Sequence, residues 1–364
     1  MKTSLIFAST LAAIATSACS PEAEKTTTSP IDSNVSDSVV VAPSQHFDLS
    51  HWKITVPIDL DNNKKVDSIS VAELEGYSHP DFFYLDEQKN LVFTAPNKAI
   101  TTPNSSNTRS ELRYMSRGKN TKIKTHSPGN NFALASHSNA AEFASIGGKL
   151  EATLSVNHVA KNAGYADKYP AYSAVVGQIH AVKHKEKNNG FGWGNEPIKI
   201  YYKKWPEHEY GSVFWTYERN LAKEDPNRTD IVYPVWGNTW DNPEAPGSEG
   251  VLLNEEFSYT INVHNDIMYL SFESDKKDTV EFAINLANNV DANGKVDDKD
   301  HPKGYAGDSL YFKAGIYDQC STRDAPGFWY AKCPGTGDWE TDKKNGDYAQ
   351  ATFSKIVVSE STAP

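Results

Sequence analysis

Apolar and polar residues alternate with a period of two along most of the chain after residue 46, which predicts β-strands. The clearest segments are Lys149–Val156, Ile198–Tyr202, Phe257–Val263 and Ile267–Phe272. Asn265 and Asp266 separate the last two and predict a hairpin turn. Ser70–Glu75 predicts one short helix, and Glu218–Gly250 predicts a long loop. Short strands without an alternation of strand and helix predict an all-β sandwich of two antiparallel sheets.

The N-terminus has the features of an export signal. Lys2 precedes a mostly apolar stretch, and small residues stand before Cys19. This pattern predicts a signal peptide over residues 1–19 and a lipoprotein with lipid on Cys19, which would be the protein's membrane attachment; simple secretion is the alternative. Residues 20–45 predict a flexible linker. A single domain over residues 46–364 follows. We expect an outer-membrane lipoprotein that faces the periplasm or the exterior.

The charge of the chain argues against nucleic acid as a partner. Its 364 residues include 36 Lys and Arg against 47 Asp and Glu, for a net charge of −11. Nucleic-acid affinity depends on a basic surface that contacts phosphates. The 38% hydrophobic residues instead predict a globular protein with a large core. We expect it to be a monomer.

The remaining cysteines and the acidic loops bear on disulfides and metals. With Cys19 lipidated, Cys320 and Cys333 form the one pair left in an oxidising compartment, and we expect a disulfide. A zinc site at His180 and His184 requires a helix where the alternation predicts a strand. The spacing of acidic residues in two loops suggests calcium, but both loops lack the Gly and the terminal Glu of an EF-hand, which favours solvated turns. These loops contain Asp59, Asp61, Asn63 and Asp67, and Asp291, Asn293, Asp297 and Asp300.

Four predicted strands carry one polar face, and the alternation assigns its members. They are Arg109, Glu111 and Arg113; Gln178 and His180; Lys199, Tyr201 and Lys203; and Tyr311, Lys313, Tyr317 and Gln319. The residues between them are mostly apolar. Guanidinium, ammonium, amide and phenol groups are hydrogen-bond donors, so the face is suited to an anionic ligand.

Three of these segments resemble the hallmark motifs of the alginate lyases of polysaccharide lyase family 7. They are Arg109-Ser-Glu-Leu-Arg113, Val176-Gly-Gln-Ile-His180 and Tyr311-Phe-Lys-Ala-Gly-Ile-Tyr-Asp-Gln319, and Phe47–Pro57 resembles the opening strand of the family. The resemblance extends to Val358. It implies a β-jelly roll whose concave sheet forms a cleft for alginate. Asp318 occupies a position where the family commonly has Asn, and the alternation places it on the back face.

The resemblance also implies the roles of the site residues. The catalytic positions correspond to Arg109, Gln178, His180 and Tyr317, and the cleft-lining positions to Glu111, Arg113, Lys313 and Gln319. The polar-face pattern adds Lys199, Tyr201 and Tyr311 to the substrate-binding residues. For Glu111, a salt bridge to Arg109 that orients the arginines is the alternative role. Ile179, between Gln178 and His180, is the variant that the family associates with guluronate-containing blocks.

The residue types fit β-elimination of a 4-linked uronate. Removal of the C5 proton requires that the sugar carboxylate be neutralised, for which Arg109 and Gln178 are suited. His180 can accept the proton, and Tyr317 can donate one to the departing oxygen or serve both roles. This chemistry requires no metal or organic cofactor.

Several alternatives stay open at this stage. A glycoside hydrolase needs two carboxylates about 5 to 9.5 Å apart, and Glu111 is the one acid on the predicted polar faces. A non-catalytic polysaccharide-binding module would not require Gln178, His180 and Tyr317 together. A lyase for another polyuronate would share all three. The preference for guluronate or mannuronate and endolytic or exolytic action also stay open.

Overall fold

The computed structural model of the protein describes residues 41–185, 189–322 and 331–364. The predicted signal peptide, including Cys19, and residues 20–40 of the predicted linker lie outside the described residues. Ala42 and Pro43 are already buried. The packed domain therefore begins a few residues before His46.

The described residues form strands, five short 3₁₀ turns and one α-helix. The strands in chain order are β1 (Trp52–Thr55), β2 (Ser68–Ile69), β3 (Phe83–Leu85), β4 (Leu91–Pro96), β5 (Arg109–Tyr114), β6 (Phe132–Ala133), β7 (Ser145–Ile146), β8 (Gly148–His158), β9 (Ser173–Ala181), β10 (Ile198–Lys203), β11 (Tyr210–Glu218), β12 (Asp230–Trp236), β13 (Val251–Leu252), β14 (Glu256–His264), β15 (Ile267–Ser274), β16 (Lys277–Asn285), β17 (Leu310–Asp318) and β18 (Tyr348–Ser359). The 3₁₀ turns are Pro43–Gln45, Glu73–Glu75, Pro128–Asn130, Ala140–Glu142 and Gly247–Glu249, and α1 is Trp339–Asn345. Within these ranges no helix has the length and apolar character of a membrane span.

The strands assemble into two sheets, as the alternation predicts. The order in the large sheet is β12-β11-β10-β9-β17-β5-β1-β2, with β13, β6 and β7 at its margins. The small sheet has the order β16-β15-β14-β8-β18-β4-β3. The pairs are antiparallel except for the short contact of β6 with β7. The predicted hairpin is confirmed, since β14 pairs with β15 from Ser258 opposite Glu273 to His264 opposite Ile267.

The core lies between the two sheets. The large sheet contributes Leu112, Ile179, Ile200 and Phe312, and the small sheet contributes Leu154, Phe257, Ile261 and Phe353. These are the apolar members of the alternating segments, so the polar face of the large sheet points away from the core. Burial of one face of each sheet is what sets the period-two pattern.

Two local predictions were wrong in part. Ser70–Glu75 forms only the 3₁₀ turn Glu73–Glu75. Glu218–Gly250 is not a continuous loop, because Asp230–Trp236 forms strand β12. Pro234 argues against a strand at the sequence level, because proline lacks the N–H that a central strand needs. The structure accommodates Pro234 because β12 pairs with β11 alone, at the edge of the large sheet.

A β-bulge interrupts the pairing of β17 with β9 just before Tyr317. The register of β17 against β9 shifts between Ala314 and Tyr317. Gly315 has φ +135°, and a Cβ there would lie 2.6 Å from the backbone oxygen of Ser110. A larger residue would therefore collide with β5. Glycine at this position accommodates the bulge on the β9 side, while the regular register of β17 against β5 keeps Tyr317 opposite Arg109.

Cys320 and Cys333 form a disulfide with a Cα–Cα distance of 5.5 Å. Both cysteines are buried in a small apolar cluster with Ala160, Ala171 and Tyr172. The disulfide joins the residues after β17 to the segment before α1. It thereby closes the loop that follows the strand bearing Tyr317.

Candidate active site

Three neighbouring strands bring the motif residues side by side. Strand β17 lies between β5 and β9 in the large sheet. Lys313 is opposite both Arg113 and Gln178, Tyr311 is opposite His180, and Tyr317 is opposite Arg109. The guanidinium, amide, imidazole and phenol groups that the sequence singles out are therefore on one face of one sheet.

Glu111 is the centre of a buried charge cluster in this face. Its Oε2 accepts a hydrogen bond from Arg109 Nη1 at 2.8 Å and a second one from Lys313 Nζ, and its Oε1 accepts from Gln178 Nε2. Its side chain is only 3% exposed. Burial raises the pKa of Glu111, but Lys313 and Arg109 outweigh burial and lower it. Glu111 thus holds an arginine, a lysine and an amide in fixed positions.

Tyr317 is packed against Arg109 and hydrogen-bonded to a loop residue. The Arg109 guanidinium carbon lies 3.8 Å from the centroid of the Tyr317 ring. The Tyr317 hydroxyl is 3.1 Å from Ser105 Oγ. Arg109 Nη2 also donates a hydrogen bond to Ser105 Oγ, at 3.2 Å. The phenol oxygen is therefore held next to a permanent cation, a position in which it can exchange a proton with a bound sugar.

His180 is fixed on three sides. Its ring stacks on Tyr311 with centroids 5.3 Å apart and planes 10° apart. Its Nδ1 lies 2.6 Å from the carbonyl oxygen of Ala181, and its Nε2 lies 3.1 Å from Glu196 Oε1. The side chain is 23% exposed, so the imidazole is accessible from the outer face of the sheet.

Lys313 and Lys199, two of the three lysines of the face, have opposite electrostatic settings. Burial, followed by the charge of Arg109, lowers the pKa of Lys313 to about 8. Lys199 lies 3.4 Å from Asp230 Oδ2 and 3.6 Å from Glu196 Oε2. Burial lowers the pKa of Lys199, but Asp230 and the other neighbouring charges raise it well above its usual value. Lys199 thus stays charged, and that charge is already neutralised within the protein.

Not every residue of the predicted face is open to a substrate. Tyr201 is 2% exposed and packs between Phe214 and Trp240. Gln319 is buried and donates to the backbone oxygen of Tyr317 at 3.3 Å. Direct contact of Tyr201 and Gln319 with the polymer stays a prediction, and both side chains are about as buried as Gln178. Alternation identifies the face of a residue but not the loop that covers it.

Arg113 and Gln178 form the floor of the site. The Arg113 guanidinium carbon lies 3.9 Å from the centroid of the Tyr311 ring, and its Nη2 donates to Asn131 Oδ1 at 2.9 Å. Gln178 is buried and donates to Glu111. Ile179 faces the core, so any influence on block preference has to act through the backbone of its two neighbours.

Two carboxylates on this face, Glu196 and Glu218, are not among the residues that the sequence predicts for the site. Glu218 lies on the same side of β11 as Thr216, which is opposite Lys199. Alternation along β11 would have identified it once that pairing was known. Glu196 lies in the connection before β10, where Pro197 interrupts the alternation, so the pattern contains no signal for it.

The acidic loop that follows β1 is a compact turn. Carboxylate oxygens of Asp59, Asp61 and Asp67 lie within 4.8 Å of one another. Asp59 Oδ1 accepts from the N–H of Asn63 at 3.0 Å, and Asp67 Oδ2 accepts from the N–H of Leu60 at 3.1 Å. Backbone N–H groups of the turn therefore donate hydrogen bonds to Asp59 and Asp67. This arrangement is the one expected for an acidic turn at the surface.

Comparison with known proteins assigns the chain to a family. A family model described as alginate lyase matches residues 47–360. An alginate lyase from Klebsiella pneumoniae is 33% identical over 334 residues, which cover 89% of this chain and 93% of that protein. A crystal structure of an alginate lyase from the same organism has a TM-score of 0.67 at 31% identity and covers 88% of this chain and 99% of that one.

A second solved structure is similar to the same extent. The exolytic family 7 alginate lyase of Zobellia galactanivorans has a TM-score of 0.69 at 32% identity, with 88% of this chain and 99% of that chain covered. The resemblance of the three motifs, the two-sheet fold and these comparisons agree. The chain belongs to the alginate lyases of polysaccharide lyase family 7.

Proposed function

We propose that this protein cleaves alginate by β-elimination at the outer face of the large sheet. The family assignment supports the reaction class. The observation that carries the assignment of residues is that Arg109, Gln178, His180 and Tyr317 come together from β5, β9 and β17. Arg109 and Gln178 neutralise the sugar carboxylate, and His180 and Tyr317 move the protons.

The geometry supplies what each step requires. Removal of the C5 proton places negative charge on the carboxylate group, and donors that are fixed before the reaction stabilise that charge without reorganisation. Glu111 fixes Arg109 and Gln178 through a shared carboxylate. The C5–H electrons form the C4–C5 double bond, the C4–O4 bond breaks, and Tyr317 gives its proton to O4. The product carries an unsaturated uronate at its new non-reducing end.

A glycoside hydrolase fits this site less well, even with the additional carboxylates. A hydrolase places a sugar between two acids that are at least about 5 Å apart. Glu196 and Glu218 instead share a hydrogen bond with each other, and both are next to Lys199. Glu111 is enclosed by cations. These carboxylates hold other side chains in place and do not flank an open sugar site.

Ultraviolet absorbance of the new C4–C5 double bond tests the proposal. A lyase produces rising absorbance when mixed with alginate. Reducing ends without that absorbance would identify a hydrolase, binding without either would identify a binding module, and absorbance with another polyuronate alone would change the substrate. Purified polyguluronate and polymannuronate with product sizing then decide block preference and endolytic or exolytic action.

Two variants test the residue roles. Tyr317→Phe keeps the stacked ring but removes the hydroxyl, and we expect a fall in kcat of at least about 100-fold with binding retained. Tyr269→Phe, on β15 of the small sheet, is the matched control and should match the parent. Turnover of Tyr317→Phe at the parent rate would remove Tyr317 from the reaction.

Export, the lipid on Cys19 and a monomeric state belong to the same proposal. A lipid anchor joined to the domain by the predicted linker would keep the domain near a membrane surface while its sheet face stays open to the polymer. Intact-mass measurement of membrane-extracted protein tests the anchor, and Cys19→Ser should release the domain in soluble form. Light scattering after size-exclusion chromatography tests the monomer.

A further inference from the structure

A row of polar residues crosses five neighbouring strands of the large sheet. Gln178 on β9 is opposite both Lys199 on β10 and Lys313 on β17. Arg113 on β5 is opposite both Lys313 and Lys53, which lies on β1. Neighbouring strands are about 4.8 Å apart, so Lys53 is roughly 10 Å from Lys313 across the sheet. The row therefore continues on both sides of the residues proposed to act on the sugar.

The β10 side of this row has no uncompensated charge. Lys199 Nζ lies 3.4 Å from Asp230 Oδ2 and 3.6 Å from Glu196 Oε2. A sugar carboxylate at this position would have to compete with two carboxylates of the protein. The ammonium group of Lys199 is thus a poor anchor for a further uronate unit.

The β1 side has the opposite electrostatic character. The residues before and after Lys53 belong to the core, so the Lys53 side chain is on the outer face of the sheet. Its ammonium group donates to Ser68 Oγ at 3.3 Å. Burial, followed by the charges of Arg113 and Arg117, lowers the pKa of Lys53 to about 8. No acidic group in the part of the chain that the structure describes offsets these effects.

The loop after β5 adds two more donors to this region. Arg113 Nη2 donates to a carbonyl of the loop at 3.1 Å, and the backbone N–H of Arg117 donates to Asn130 Oδ1 at 3.1 Å, so the loop is held against β5. Arg117 Nε is buried and has no hydrogen-bond partner among the described residues. His126 is exposed, and the charges of Arg113 and Lys53 act together with burial to lower its pKa. Its ring therefore lies near both cations.

The three cations of this region contact neutral groups. Lys53 donates to a serine hydroxyl, Arg113 to the amide oxygen of Asn131, and Arg117 to the carbonyl oxygen of Asn120. The chain as a whole has a net charge of −11. A local excess of positive charge in such a protein costs stability, and an anionic ligand would remove that cost.

We propose that Lys53 and Arg117 bind the carboxylate of a second uronate unit, so that the polymer extends from the reacting unit across β5 and β1. The proposal rests on the proposed cleavage of alginate. Every unit of a polyuronate carries a carboxylate, so a bound chain needs cations beyond the reacting unit. Hydrogen bonds between a cation and a carboxylate are the strong ones, and Lys53 and Arg117 both have donors for them.

The dependence of cleavage on oligomer length tests this subsite. In the parent, kcat/KM for purified alginate oligomers should rise once the oligomer is long enough to reach Lys53. Lys53→Met keeps the aliphatic stem but loses the ammonium group. We expect about a 10-fold lower kcat/KM for the hexamer, the effect of one lost charged hydrogen bond. The shortest oligomer that the parent cleaves should change by less than about twofold. An equal loss at every length, or no loss for the hexamer, would overturn the proposal.

Further variants identify the charge as the cause. Lys53→Arg keeps a cation and should retain most of the gain with length. Arg117→Met should show the same length-dependent loss, and it carries the test if Lys53→Met does not fold. Because both residues bind one carboxylate, the double variant should lose less than the product of the two single losses; a full product would overturn the shared carboxylate. Lys355→Met, on β18 of the small sheet, is the matched control and should match the parent at every length.

Binding to an inactive protein separates this subsite from the reaction itself. In the Tyr317→Phe background, isothermal titration with the hexamer should show about a 10-fold weaker affinity when Lys53→Met is added. An unchanged affinity would contradict the subsite, even if the parent cleaves alginate. Absence of cleavage by the parent, together with the weaker binding, would refute the proposed reaction and still support the subsite.

Discussion

Loss of the Glu111 carboxylate should destabilise the protein through the cations that it leaves behind. Glu111→Gln keeps the volume of the side chain but removes the charge that pairs with Arg109 and Lys313. Removal of one partner of a buried ion pair costs about 3–5 kcal/mol, because the remaining charge is left uncompensated. At this site both Arg109 and Lys313 contact the one carboxylate, so both would lose their partner.

The expected shift in Tm follows from the size of the domain. The described domain extends over roughly 320 residues, and an unfolding entropy of about 2.1 cal/mol/K per residue makes 1 kcal/mol equivalent to about 1.5 °C. The predicted loss for Glu111→Gln is therefore about 4–7 °C. Differential scanning calorimetry of parent and variant measures it.

The pH dependence gives this prediction a second, independent signature. The pKa of Lys313 is about 8 in the folded parent, against an ordinary value of 10.5. Without Glu111 it falls further, so Lys313 can lose its proton near neutral pH and relieve part of the repulsion. A lysine with a lowered folded pKa gains stability as pH rises from that pKa towards the ordinary one. The deficit of Glu111→Gln should hence be largest near pH 6 and smaller at pH 9.

A partly exposed carboxylate on the other sheet provides the control. Glu151→Gln should change stability by no more than about 0.5 kcal/mol, which corresponds to less than about 1 °C. A Tm for Glu111→Gln within 1 °C of the parent, or a deficit that grows with pH, would refute the view that Glu111 compensates two buried cations.

Three further predictions concern Lys313, Asp318 and the disulfide. Alginate binding at constant ionic strength should weaken as pH rises through about 8, where Lys313 loses its charge. The same fall in affinity with pH in Lys313→Met would show that another group causes it. Burial raises the pKa of Asp318, whose Oδ2 has no hydrogen-bond partner among the described residues. The folded protein therefore loses stability as pH rises through that pKa, because the carboxyl group then ionises in a buried position. Asp318→Asn should therefore gain about 1–3 kcal/mol in neutral denaturant titrations, with no gain below about pH 4; a neutral-pH loss would contradict this. Cys320→Ser with Cys333→Ser should cost about 3 kcal/mol in thermal unfolding, and reductant should then have no further effect; equal stability with the parent would show that the disulfide constrains nothing.

The alternation correctly assigned the two faces of those strands that bury one face in the core. The opposition of Ser110 and Leu112 to Arg109 and Glu111 follows from a period of two and from the need of one face for an apolar partner. The same rule identified the polar members of β9 and β17. Asp318 is fully buried on the back face, as the alternation places it.

The rule failed where the chain leaves the regular strand. Glu196 precedes β10, next to Pro197, and Ser105 lies in the loop before β5. The distance from Glu196 to His180 and the distance from Ser105 to Tyr317 depend on how segments far apart in the chain pack together. The alternation of residues within one segment contains no information about that packing. Tyr201 lies within β10, but its ring contacts Trp240 from a distant loop, which the pattern does not record either.

The sequence alone determined the all-β class, the polar face and the residue types of a site for an acidic sugar, because each depends on local periodicity and on the chemistry of individual side chains. Tertiary structure alone decided which of those residues meet. The pairing of β17 with β5 places Tyr317 beside Arg109, and Glu218 at the end of β11 holds Glu196, which lies against His180. Strand register and loop packing are set by contacts between segments far apart in the chain, so they emerge only when the two sheets close on their core.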